Sequence, residues 1–305
     1  MERVGFVGIG TMGTHMARHV VQAGWSTLVY DIAPAGVAEV VAAGARKAES
    51  LANIARESDV VITMLPSSPD VEAVLCGPDG VLAHLDAGKH VVDMSTIDPL
   101  VSRRVNEQAA QKGIGMLDAP VSGGSRGARD ATLTIMVGGD PELFERYQPL
   151  LATMGKNIIH CGGPGMGEVV KVCNNLLSGI TTAAVAEAYA LGVRLGADPR
   201  VMYDVISKST GSSYSHNVRP PVKGINPDGP EDTDYAPGFM VDLMHKDLGL
   251  ALSAAQGVKV PLVITAAARE MYAVARAKGY GRKDMAAVKF GVEALCPPLD
   301  LATSG

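Results

Sequence analysis

Three stretches of this chain carry residue types at spacings that can do chemistry. The first is Gly8-Ile9-Gly10-Thr11-Met12-Gly13, of the form G-x-G-x-x-G. Gly8 permits a tight turn, Gly10 leaves room for a pyrophosphate against the backbone, and Gly13 lets the following helix pack on the strand. The first amides of that helix point at the phosphates, where the helix dipole favours negative charge. Alone, the pattern also fits an ordinary glycine-rich turn. A strand before it, a helix after it and an acid at the end of the next strand make it a dinucleotide signature. That acid is Asp31. Its carboxylate can accept the adenosine-ribose hydroxyls and would repel a 2′-phosphate, and Ile32-Ala33-Pro34-Ala35 offers no Lys or Arg to hold one. The expected cofactor is therefore NAD rather than NADP.

The second stretch is Asp118-Ala119-Pro120-Val121-Ser122-Gly123-Gly124. A Ser-Gly-Gly turn exposes successive amides and a hydroxyl, a nest suited to a carboxylate; a flexible loop fits the same spacing. The third opens a long apolar run with Glu168-Val169-Val170-Lys171-Val172-Cys173-Asn174-Asn175. Lys171 and Asn175 are four apart, so a helix presents both on one face. A partly desolvated lysine has a lowered pKa, which suits proton transfer near neutrality. The same spacing fits a surface lysine on an amphipathic helix. In Met244-His245-Lys246-Asp247-Leu248, Lys246 can reach a cofactor or form a solvated pair.

These residues need elements to position them. Short β-branched runs at 3–7, 26–30, 60–64, 90–94 and 115–117 alternate with helical stretches at 12–23, 36–43, 52–57, 71–75 and 100–112. Alternation at this spacing implies a mainly parallel sheet covered on both faces, an α/β Rossmann-type domain. Later strands are expected at 131–137 and 157–160. From Glu168 to Leu195 the run should be one long helix, and Asp198-Pro199 caps and starts another. Further helices are expected at 240–255, 262–278 and 282–294. The boundary falls near Gly162-Gly163-Pro164-Gly165, giving a Rossmann domain over 1–163 and an all-α substrate and dimerisation domain over 164–305. Residues 211–238, rich in Ser, Gly, Pro and Asp, form the long loop of the chain, a segment of the kind that is functional or mobile.

The chain has 305 residues, enough for two domains, and 47% of them are hydrophobic. With 27 basic and 32 acidic residues the net charge is −5, which points to neither nucleic acid nor an anionic membrane as partner. The cysteines at 76, 161, 173 and 296 form no C-x-x-C pair or zinc pattern and read as reduced thiols of a cytoplasmic protein. No metal site is expected. Val4-Gly5-Phe6-Val7 reads as a first strand with no leader before it. The apolar stretch 180–195 is interrupted by Glu187 and Arg194 and reads as too short to span a bilayer.

Taken together the motifs resemble the β-hydroxyacid dehydrogenase family, its 3-hydroxyisobutyrate branch in particular. The resemblance is carried by Gly5–Gly13, by Asp93-Met94-Ser95-Thr96-Ile97-Asp98-Pro99, by Asp118–Gly124 and by Leu133-Thr134-Ile135-Met136-Val137-Gly138-Gly139. Gly167–Asn175 and Lys246-Asp247-Leu248-Gly249-Leu250-Ala251 complete it, so it covers nearly the whole chain in order. It implies Lys171 as catalytic acid and base, Ser122, Gly123, Gly124 and Asn175 on the substrate carboxylate, and Thr96 beside the nicotinamide. It places Leu65, Pro66, Asp70 and Lys246 against the cofactor and implies a homodimer or homotetramer.

The implied reaction is NAD-dependent hydride transfer between a small 3-hydroxy acid and its semialdehyde. Around Tyr214–Pro221 the sequence departs from the family pattern, in the loop expected to cap the substrate. Arg219 there can meet a second acid group or stand as a solvated charge. Gly281–Ala286 is similar to the 2-(hydroxymethyl)glutarate branch, whose substrate has two carboxylates. Reductases of tartronate, succinic or sulfonated semialdehydes share the scaffold. A non-catalytic NAD-binding sensor would be expected to have lost Lys171, Asn175 or the Ser-Gly-Gly turn, and all are present.

Overall fold

Parallel strands covered on both faces must be apolar on both sides, and the first strands are. In the computed structural model, which describes residues 2–297, β1 (Arg3–Val7), β2 (Ser26–Tyr30), β4 (Val60–Thr63), β5 (His90–Asp93) and β6 (Gly115–Asp118) pair in parallel, with β3 (Arg46–Lys47) at the edge. Alternate residues serve two cores. Val60 and Ile62 face one with Phe6, Met16 and Val92, whereas Val61 faces the other with Leu28, Ile54 and Val91. The sheet continues through β7 (Val121–Ser122), β8 (Leu133–Gly138) and β9 (Gly155–Gly162). Its order is β3-β2-β1-β4-β5-β6-β8-β7, with β9 paired to β8. β8 runs antiparallel to β6 and β7 and parallel to β9. The order reverses between β1 and β4, so the carboxyl ends of these two strands form the switch point where an open α/β sheet takes its ligand. Gly8 and Met64 stand there.

Most expected elements lie within two residues of the observed ones. The exceptions have physical causes. β3 and β7 are two residues long and carry no apolar period of their own. The helix Pro141–Leu151 was not expected, although Asp140 caps it by accepting from the Glu142 and Leu143 amides at 2.9 and 3.0 Å. The segment 282–294 is not one helix: Asp284 caps a 3-10 turn at Met285–Ala287, and the α-helix runs only over Val288–Leu295.

The chain divides into two compact units, one ending at Val172 and the other beginning at Cys173. The helix Met166–Arg194 runs through that division. It has the length and apolarity of a membrane span, because the apolar run begins upstream of the interrupted stretch 180–195. One side of it serves a helical core. Ala183 and Ala186 pack with Tyr235, Val241, Met244, Leu248 and Tyr272 of the second unit. The second unit is helical, with further helices at Pro199–Ile206, Tyr214–Val218, Val241–Gly257 and Val263–Ala277.

The segment 211–238 is pinned rather than loose. It holds the helical turn Tyr214–Val218 with Ser213 as cap and a 3-10 turn at Pro230–Asp232, Gly224 N–H donates to both Asp232 carboxylate oxygens, and Asn226 donates to the Val218 carbonyl. Glu231 accepts from Tyr235 and Lys289.

Candidate active site

The glycine turn between β1 and the helix Thr11–Gln22 is built as its spacing requires. Gly8 has φ +96°, a conformation an L side chain resists. A Cβ on Gly13 would lie 1.9 Å from the Gly8 carbonyl oxygen, so only glycine allows the helix this close to the strand. A Cβ on Gly10 would meet nothing within 4 Å, which leaves open space over the helix N-terminus. Ile9 is buried, Met12 half-buried and Thr11 exposed at the helix start. These residues fit a dinucleotide pyrophosphate. Asp31 braces the turn: its carboxylate accepts the Ile9 N–H at 2.6 Å and the Ala33 N–H at 2.7 Å. Each oxygen retains a second lone pair for a ribose hydroxyl.

Beside this turn, the loops after β4 and β5 are tied together. Leu65 N–H donates to Ser95 Oγ at 2.8 Å and Asp98 N–H to Ser68 Oγ at 3.1 Å. Ser95 and Thr63 both donate to the buried Asp93 carboxylate. Leu65, Pro66 and Thr96 are thereby held on neighbouring strand ends. Asp70 sits in the first turn of the helix Ser68–Cys76 and accepts the Ser67 hydroxyl.

At the Ser-Gly-Gly turn, Gly123 and Gly124 have φ of +134° and +62°, and Ser122 is the last residue of β7. Gly123 O accepts from Gly127 N–H, which closes a short helix behind the turn.

The start of the long helix rests on a carboxylate that sequence reasoning passed over. Asp118, at the end of β6, accepts the Gly165 N–H at 2.7 Å and the Glu168 N–H at 2.9 Å, satisfying first-turn donors that would otherwise be buried unpaired. Gly167 lets the backbone approach: a Cβ there would be 2.7 Å from the Asp118 carbonyl oxygen and 2.3 Å from that of Met136. Burial pushes the Asp118 carboxyl up to about 6 against the pull of those two amides, and nearby Asp93 adds to the rise. Lys171 is only 4% exposed, so it is not a surface lysine.

In the second unit, Asn175 is buried and donates to Asp247 Oδ2 at 2.6 Å, while its own amide oxygen accepts from Asn174. Lys246 Nζ lies 3.3 Å from Asp247 Oδ1, and Asp247 is buried. Lys246 and Asp247 are therefore not a solvated pair. Asp247 also holds Asn175, a link between two motifs that no local spacing reveals. Arg219 is not a solvated charge: its Nε is 3.4 Å from Asp284 and its guanidinium lies 5.9 Å from the Tyr214 ring.

A dinucleotide-binding Rossmann sheet followed by a helical unit, with a buried lysine opening the helix that joins them in sequence, defines a nicotinamide-dependent dehydrogenase. Two family models match the chain: the NAD-binding domain of 6-phosphogluconate dehydrogenase over residues 3–163, and the NAD-binding region of NADP-dependent 3-hydroxyisobutyrate dehydrogenase over 165–290. The chain is 44% identical over 286 residues to 2-(hydroxymethyl)glutarate dehydrogenase of Eubacterium barkeri, covering 94% of this chain and 93% of that one. It is 44% identical to 3-hydroxyisobutyrate dehydrogenase of Pseudomonas aeruginosa, covering 90% and 92%. Among solved structures, 3-hydroxyisobutyrate dehydrogenase of Mycobacterium tuberculosis with L-serine superposes with TM-score 0.91 at 37% identity, covering 96% and 99%. The chain belongs to the β-hydroxyacid dehydrogenase family and is an NAD-dependent 3-hydroxy acid dehydrogenase.

Proposed function

We propose that this dehydrogenase interconverts 3-hydroxyisobutyrate, or a 3-hydroxy monocarboxylate of similar size, with its semialdehyde, and that Lys171 moves the proton. The observation that carries the reading is the burial of Lys171 in the first turns of a helix anchored by Asp118. When bound, NAD supplies the hydride acceptor or donor. Gly8, Ile9, Gly10, Thr11, Met12 and Gly13 would hold its pyrophosphate and Asp31 its ribose, with Leu65, Pro66, Asp70, Thr96 and Lys246 along its length. The Ser122-Gly123-Gly124 turn and Asn175 would hold the substrate carboxylate, fixing the distance from the carbinol carbon to the reacting ring. In oxidation the neutral Lys171 amine takes the hydroxyl proton; in reduction its ammonium polarises the carbonyl and returns the proton.

Lys171→Ala is expected to lower turnover by about 10²-fold or more while NAD binding by fluorescence titration persists. Turnover at the wild-type rate would remove Lys171 from the reaction. For the substrate, the 44% identity to a 3-hydroxyisobutyrate dehydrogenase and the superposition on another of that name favour one carboxylate. The second reading, 2-(hydroxymethyl)glutarate, is favoured by the 44% identity to an enzyme of that name. NAD reduction measured side by side on the two acids decides between them. A second copy of the chain is the expected partner. Leu177 and Leu191 are each 62% exposed on the long helix and Leu195, just past its end, is 78% exposed, an apolar surface suited to a partner. Light scattering at the mass of a monomer would count against that.

A further inference from the structure

Glu168 is buried completely, yet its role is not accounted for by the proton transfer assigned to Lys171. One oxygen, Oε1, accepts the Ile97 N–H at 3.2 Å; the other, Oε2, has no hydrogen-bond partner. Ile97 directly follows Thr96, and Glu168 precedes Lys171 by one helical turn. A single side chain thus spans from the helix carrying the lysine to the loop carrying Thr96. The groups facing it are Asp93 from the end of β5, Asp118 from the end of β6 and Lys171 from its own helix. Asp93 is itself buried and leaves Oδ2 without a partner. Three buried carboxyl groups in mutual electrostatic reach cannot all be ionised, because like charges in a water-poor interior repel with little screening. No group of three acidic, His or Cys side chains among the described residues is arranged to hold a metal ion that would relieve this repulsion. Asp118 keeps two backbone donors and is the better-served anion.

We propose that Glu168 is an uncharged strut: as a protonated acid it fixes the Thr96 loop to the Lys171 helix without giving Lys171 a counter-charge. The absence of charge matters to the chemistry. An ionised carboxylate one turn from a buried lysine would favour the ammonium and leave less free amine near neutral pH to take a proton. A protonated acid of the same length leaves more of the lysine as free amine and still accepts the Ile97 N–H. Burial, reinforced by Asp93 and Asp118, holds the Glu168 carboxyl well above the usual carboxylate range, and the opposing pull of Lys171 does not overcome them. The strut is a positioning residue and makes no claim on substrate. It rests on the reading of Lys171 as acid and base, which Lys171→Ala tests by itself: if that variant turned over normally, the reading would fall whatever Glu168 does.

The test uses Glu168→Gln and Glu168→Ala in the full chain. The first readout needs neither cofactor nor turnover. The infrared difference spectrum of wild type minus Glu168→Gln at neutral pH should contain the carbonyl stretch of a protonated carboxylic acid. A carboxylate band in its place overturns the proposal. The second readout is the pH profile of kcat/KM for NAD-dependent oxidation of 3-hydroxyisobutyrate. Glu168→Gln should keep kcat within about threefold of wild type and leave the acid limb where it is, since no charge has been removed. A limb displaced to lower pH by about one unit or more would mean that an anion had been raising the lysine's pKa, and would sink the idea. Glu168→Ala, which cuts the link to Ile97, should lower kcat about tenfold or more with little change in the KM for NAD. Wild-type kcat in that variant would show that nothing is being held. If the alanine variant fails to fold, the infrared band and the glutamine pH profile still decide.

Discussion

The turn at Gly8–Gly13 is built by leaving atoms out, and the start of the long helix is built by packing carboxyl groups in. At the turn, backbone passes backbone so closely that a single methyl on Gly13 would sit 1.9 Å from a carbonyl oxygen, and Asp31 braces the outside. At the helix start, Asp118, Glu168 and Asp93 are all buried, and their hydrogen bonds run to backbone amides and hydroxyls of three different strand ends. The first arrangement makes space for a ligand's charge. In the second, Asp118 supplies an acceptor where a helix would otherwise bury unsatisfied donors. The two should therefore fail differently when altered: one by steric conflict that is indifferent to pH, the other by loss of acceptors with a pH signature.

The largest effect is expected from Gly13→Ala, which should cost about 3 kcal/mol of stability through overlap with the Gly8 carbonyl, at every pH where the protein folds. Near-normal thermal unfolding of that variant would mean that the helix can retreat from the strand, and the contrast would lose its first half. Asp118→Ala should cost about 2 kcal/mol, because two buried N–H groups lose a charged acceptor. It should also change the pH dependence. With the folded carboxyl pushed up to about 6, above its usual range near 4, the folded state holds a proton that the unfolded chain has released. Stability therefore falls as pH rises from about 4 to about 6 and is level above that. Chemical unfolding at pH 4.5 and pH 7 should show this trend in wild type and a flatter one in Asp118→Ala. The smallest effect on folding belongs to Gly10→Ala, under about 0.5 kcal/mol, since its methyl meets no protein atom. Its NAD affinity should nonetheless drop about tenfold or more, a loss of about 1.4 kcal/mol. Unchanged affinity would mean that the open space at Gly10 is not where the phosphates lie.

Much of this contrast could be read from the chain itself, and the divide is physical. The glycine turn is local: strand, three glycines and helix follow one another within a few residues, and Asp31 closes the next strand. The long helix announces itself through a run rich in Ala, Leu and Val with no internal proline, and Lys171 and Asn175 through one helical turn. What could not be read are the contacts that fold distant segments together. Asp118 capping Gly165 and Glu168, Glu168 reaching Ile97, Asp247 holding Asn175 and Asp284 engaging Arg219 each join residues at least 47 positions apart. No periodicity encodes such pairs. The strands β3 and β7 were invisible for a related reason: two residues have no period, and their pairing is imposed by neighbours already in place. The helix Pro141–Leu151 was legible after all, since Asp140-Pro141-Glu142 is a helix-starting sequence.

The bonds from Leu65 N–H to Ser95 and from Asp98 N–H to Ser68 have a thermodynamic consequence. Segments fixed in this way surrender their conformational freedom once, as the polypeptide folds, instead of at every encounter with a dinucleotide. Association should then leave backbone amide exchange at Leu65 and Asp98 almost unaltered, since the protection is already in place before anything binds.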